Sequence, residues 1–125
     1  MMSVLGILKN EMTIIDVPYE HMRWTSPVSG AYVVSEYSES PIIAEDGGEN
    51  HTILLTATTR GSWLELEQIR EKIKKHFPPI YGKGFTTNDG VVVFYYGNGF
   101  PVETGEADLK RIQINLEVKK WRTAQ

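Results

Sequence analysis

The spacing of apolar residues changes along the chain, and each spacing predicts an element. In 2–12, Val4, Leu8 and Met12 recur at four-residue steps, with Leu5 beside them and Ile7 in the same run. That spacing lines one face of a helix, and Ser3 can cap its start. Residues 13–30 carry Pro18, Pro27 and Gly30 together with Tyr19, Met22 and Trp24. They read as irregular chain with one short extended piece inside 17–24, because residues before proline favour extended geometry. Residues 31–60 read as a β-hairpin. Tyr32, Val33, Val34 and Tyr37 favour strands, and Pro41 marks a strand at an edge or already broken from its ladder. Glu45-Asp-Gly-Gly-Glu-Asn50 supplies the turn, its glycines free to take positive φ. In the return strand Ile53, Leu55 and Ala57 share one face, while Thr52, Thr56 and Thr58 share the other.

The clearest helix spans 62–76. Ser62-Trp-Leu-Glu65 has the form of a capping box. Leu66, Ile69, Ile73 and Phe77 then make one apolar stripe. Glu65 and Glu67 open the helix and Lys72, Lys74 and Lys75 close it, as the helix dipole prefers. Pro78 and Pro79 end it. Residues 80–90 read as a glycine loop, 91–96 as a strand, and Gly97-Asn-Gly99 as a turn. In 109–121 the period is two: Ile112, Ile114, Leu116 and Val118 point one way, Arg111, Gln113, Asn115, Glu117 and Lys119 the other. One face of that strand is packed and the other polar. It is also long, since strands usually run ~5–6 residues. The expectation is a single α+β domain over 1–125, with a helix at 2–12, a hairpin at 31–60, a helix at 62–76 and a hairpin at 91–121. Its order is α-β-β-α-β-β, one mixed or antiparallel sheet with both helices packed on one face.

Composition narrows the chemistry. The 125 residues are 41% hydrophobic and 23% charged, values ordinary for a globular domain. Cysteine is absent, which removes thiol catalysis, disulfides and cysteine-held zinc or iron–sulfur centres. The net charge of −3 gives no basic face for sequence-specific nucleic-acid binding. The apolar start is cut short by Lys9, Asn10 and Glu11, so neither a secretory leader nor a membrane span is expected.

Candidate sites reduce mostly to structural explanations. His21, His51 and His76 have no metal-binding spacing. Glu36, Glu39, Glu45, Asp46 and Glu49 gather around the first hairpin, but without the regular oxygen-ligand alternation of a calcium loop. Gly82-Lys-Gly84 and Gly97-Asn-Gly99 match no phosphate-binding loop, and no Gly-x-Ser-x-Gly elbow occurs. Trp24, Trp63 and Trp121 fit either the end of a core or a subunit interface. No catalytic, cofactor-binding or metal-binding residue is assigned, and no small-molecule substrate or membrane partner is expected.

Three segments carry a resemblance: Tyr32-Val-Val-Ser-Glu-Tyr37, the junction Thr59-Arg-Gly-Ser-Trp-Leu-Glu-Leu-Glu67, and the closing strand 112–121. Together with the element order they resemble the tail terminator and tail-completion (head–tail joining) proteins of long-tailed bacteriophages. The resemblance implies a non-enzymatic virion protein without a cofactor. It also implies a ring, typically a hexamer, that caps the tail tube and joins it to the head connector. The location implied is the tail or neck of a virion assembled in the host cytoplasm.

Rival readings are a small cellular α+β adaptor or regulatory domain, and a ligand-binding or hydrolytic module using the acidic hairpin and His51. The mixed charge of Arg111, Gln113, Asn115, Glu117 and Lys119, the hairpin tip at Asp46, and the glycine loop with Tyr81 and Phe85 form the expected subunit or partner interface of a homo-oligomer.

Overall fold

The computed structural model describes residues 4–21, 30–43, 49–87 and 90–122. Helix α1 is Val4–Ile14. Three strands follow, β1 Tyr19–His21, β2 Tyr32–Ile43 and β3 Glu49–Thr59. Helix α2 is Trp63–His76, and β4 Lys83–Thr87, β5 Gly90–Val102 and β6 Lys110–Arg122 follow. The fold is mixed α+β, with two helices and one six-stranded sheet among the described residues, ordered β1-β2-β3-β6-β5-β4. The β1–β2 pair is parallel and the rest are antiparallel.

The element order therefore differs from α-β-β-α-β-β by two short edge strands. β1 aligns Tyr19, Glu20 and His21 with Val33, Val34 and Ser35, and the Val33 amide also donates to the Pro18 carbonyl at 2.8 Å. β4 runs through the glycine loop and pairs Phe85 with Val92. The turn expected at Gly97-Asn-Gly99 is also corrected. The strand continues through it to Val102, with a register shift between Tyr96 and Asn98. Gly97 serves close approach there, because a Cβ would stand 2.8 Å from the Asn115 carbonyl oxygen. The chain instead reverses after Val102, where Gly105 has a φ of +81°. Pro41 falls in the register shift between Glu39 and Ile42, so the ladder skips the residue that cannot donate to it. Most of the expected hairpin turn, Asp46 included, lies outside the described residues.

Alternation decides what is buried. Ile53, Leu55 and Ala57 of β3 lie opposite Leu116, Ile114 and Ile112 of β6, and all are buried. Val92, Phe94 and Tyr96 continue this inner face across β5. Val4, Ile7, Leu8 and Met12 of α1 and Leu66, Ile69 and Ile73 of α2 join the same core. The helices are also tied through their polar groups. His76 Nε2 lies 2.8 Å from Glu11 Oε1, and Lys83 Nζ lies 3.4 Å from the same oxygen.

α2 starts at a capping box, with the Ser62 amide donating to Glu65 Oε1 at 3.0 Å. Gly61 leaves room for that carboxylate, since a Cβ there would collide with Glu65 Oε1. Ser62→Ala should destabilise by about 0.5–2 kcal/mol. Ile69→Ala, which empties a buried site, should cost more, roughly 2–5 kcal/mol. Denaturant titration that ranked the two in reverse would remove Ile69 from the load the core carries.

Candidate surface for assembly

The inward alternation of β6 fixes what its other face presents. Arg111, Gln113, Asn115, Glu117 and Lys119 alternate with the buried Ile112, Ile114, Leu116 and Val118, so they share the outer face. β6 sits between β3 and β5. Both of its backbone edges are consumed by ladders, and only side chains can meet a partner. Arg111 Nε donates to Thr58 Oγ1 at 3.3 Å, and Thr52 Oγ1 donates to Glu117 Oε2 at 3.1 Å. Asn115 Nδ2 donates to Asn98 Oδ1 at 2.7 Å. Lys119 Nζ stands 5.0 Å from the Trp121 ring centroid, a cation–π distance. The row is thus a knitted polar strip, half-buried apart from the exposed Glu117.

The remaining expected interface residues lie apart from this strip. Tyr81 sits at the turn after α2 and is 85% exposed. Phe85 is half-buried on the edge strand β4, edge-on to Phe94 at 5.5 Å. Asp46 lies outside the described residues.

The inner face contains polar groups whose grouping was not visible in sequence. Ser35 is fully buried. Its Oγ lies 2.5 Å from Tyr19 Oη and 2.9 Å from His21 Nδ1. Burial raises the Tyr19 pKa, partly opposed by the Ser35 hydrogen bond. A serine beside a histidine suggests a nucleophile and its base, but this hydroxyl is sealed beneath the sheet edge. The parallel pairing of β1 creates the group, and the only sequence trace is Tyr19 and His21 at strand spacing. His51 is also buried, its Nε2 3.4 Å from Glu49 Oε2. Among the described residues no group of three or more His, Asp or Glu could hold a metal ion, and no helix is long and apolar enough to cross a membrane.

A second feature lies where β3 hands over to α2. A cleft of about 610 Å³ is lined by residues that include Tyr32, Thr58, Arg60, Glu65, Leu109 and Arg111. Arg60 reaches from its rim to Asp108 at 2.8 Å and Glu106 at 3.4 Å. Those two carboxylates, Asp108 foremost, raise the guanidinium above its usual value.

No protein-family model matches the chain, and no curated protein matches it. Solved structures do. A chain in the virion of a native gene transfer agent particle superposes with a TM-score of 0.61 at 10% identity, covering 87% of this chain and 82% of that one. A second solved structure superposes with a TM-score of 0.63 at 14% identity, over the full length of both chains. At such identities the likeness is one of fold: this chain shares its architecture with a chain of a virion particle.

Proposed function

We propose that this protein is a structural subunit of a phage-like particle, and within it a tail terminator or neck component. In this reading it oligomerises, as a ring that is typically hexameric, and caps the tail tube or joins it to the head connector. It is assembled in the host cytoplasm and retained in the tail or neck. It catalyses no reaction and carries no cofactor. Residues of both helices join the core on the inner face of the sheet, and in this reading the outer face is left to neighbours.

The observation that carries the reading is the fold shared with a chain of the gene transfer agent virion. The knitted polar strip on β6 supports it. Mixed charge and amides, already held in place, make a contact that is specific rather than simply sticky. The test is the particle itself. Purified protein mixed with tail tubes should sediment with them and appear as a ring at one tube end in negative stain. A protein that stays monomeric and never binds tubes, at concentrations that suffice for tail completion, would remove the reading.

A further inference from the structure

The α2–β4 turn ends in an exposed apolar knob. Ile80 and Tyr81 are 81% and 85% exposed, yet the backbone beneath them is fixed. Pro78 and Pro79 precede them, and the Gly82 amide donates to the Pro78 carbonyl at 2.9 Å. Gly82 has a φ of +66°, and a Cβ there would come within 2.7 Å of the Tyr95 and Val93 side chains. A stiff backbone carrying two large exposed side chains loses little freedom on docking. An aromatic tip of this kind is a usual anchor of interfaces.

The cleft lies at the other end of the same helix. Gly61 and Glu65 line it at the start of α2, whereas the knob follows its last turn. α2 has 14 residues, which separates the two features by roughly 20 Å. The ends also differ in charge. Lys72, Lys74 and Lys75 are exposed beside the knob, where Glu71 faces Arg70. Glu103, Glu106 and Asp108 are exposed beside the cleft, where Arg60 answers only part of them.

We infer that the Ile80–Tyr81 knob of one copy seats in the cleft of the next, with the lysine end of α2 against the acidic 103–108 turn. The cleft suits an aromatic residue: Tyr32 and Leu109 supply apolar surface, and Arg60 and Arg111 supply guanidinium groups that stack on rings. A contact between different patches is heterologous, so repetition closes a ring or runs on as a filament. The inference rests on the assembly reading above and specifies which surfaces meet.

The absence of cysteine makes the test direct. Tyr81→Cys and Leu109→Cys, combined in one chain, place thiols at opposite ends of α2. That is far beyond the ~7 Å between Cα atoms that a disulfide spans, so any disulfide joins two copies. Mild oxidation should give a ladder of covalent oligomers from the double variant and none from either single variant. Separately, Ile80→Ser with Tyr81→Ser should raise the dissociation constant of self-association at least ~30-fold and leave the melting temperature unchanged at concentrations low enough for both chains to be monomeric. A covalent dimer from Tyr81→Cys alone would mean knob meets knob and overturns the inference. Wild-type oligomers without a ladder from the double variant overturn it while the assembly reading stands. A wild-type chain that remains monomeric alone and with tail tubes overturns both.

Discussion

Phe94→Ala should be among the most damaging single substitutions in this chain, costing about 3–5 kcal/mol. Phe94 is fully buried, with Phe77 of the α2 terminus at 5.5 Å on one side and Phe85 of β4 at 5.5 Å on another. Removing the ring opens a cavity and deletes two aromatic contacts, each worth ~0.5–1.5 kcal/mol beyond the area buried. Total stabilities are commonly ~5–15 kcal/mol, so the loss should be plain in a chemical denaturation midpoint. Val91→Ala provides the control, because Val91 lies on the outer face of the same strand and is 41% exposed. It should move stability by about 0.5 kcal/mol or less. A larger loss at Val91 than at Phe94 would mean that the faces of β5 have been assigned the wrong way round.

Arg111→Glu should leave the monomer folded and weaken association about 100-fold. The side chain is half-buried on the outer face, donates to Thr58 Oγ1, and lines the cleft that also contains Glu65. Reversal places a second carboxylate in that cleft. Loss of an arginine that stacks on the Tyr81 ring of the next copy removes an anchor of the kind worth ~2–4 kcal/mol in a contact, and ~2.8 kcal/mol is already a factor of 100. Folding should lose about 0.5–1.5 kcal/mol, the worth of the hydrogen bond to the buried Thr58 hydroxyl. Sedimentation velocity across a concentration series measures the first effect and thermal melting the second. If wild type and variant are both monomers with purified tail tubes present, and the variant still completes tails, this face is not an interface.

What the sequence disclosed depended on how far apart the interacting residues are. The inner and outer sets of β6 were legible because alternation is local: every second residue from Ile112 to Val118 is apolar and buried. The α2 cap was legible because Ser62 and Glu65 are three residues apart. β1 lies within the extended piece expected inside 17–24, but its parallel pairing with β2 was not legible, because three residues carry no periodicity of their own. β4 was read as a loop because Phe85 is its one large apolar residue, which leaves no alternation to detect. The glycines at 97 and 99 imitated a turn, whereas Gly97 answers a carbonyl on the neighbouring strand. The outer strip could be read as a set but not located, because the central position of β6 follows from pairing with β3 residues more than 50 positions away. The cleft joins side chains from four separate segments, and no local pattern records such a meeting.

That central position has a consequence for folding. β6 is the last of the described strands in chain order, yet it is the seam between β3 and β5. Until it arrives, β2–β3 and β4–β5 are separate hairpins, each with a bare edge of unpaired backbone amides and carbonyls. Such edges invite pairing between nascent chains. Closing the seam also brings together residues distant in sequence, which slows folding. The chain should therefore spend its most aggregation-prone interval between the release of β5 and the insertion of β6. Refolding from denaturant should lose soluble protein as chain concentration rises, because open hairpins then meet one another before β6 closes the seam.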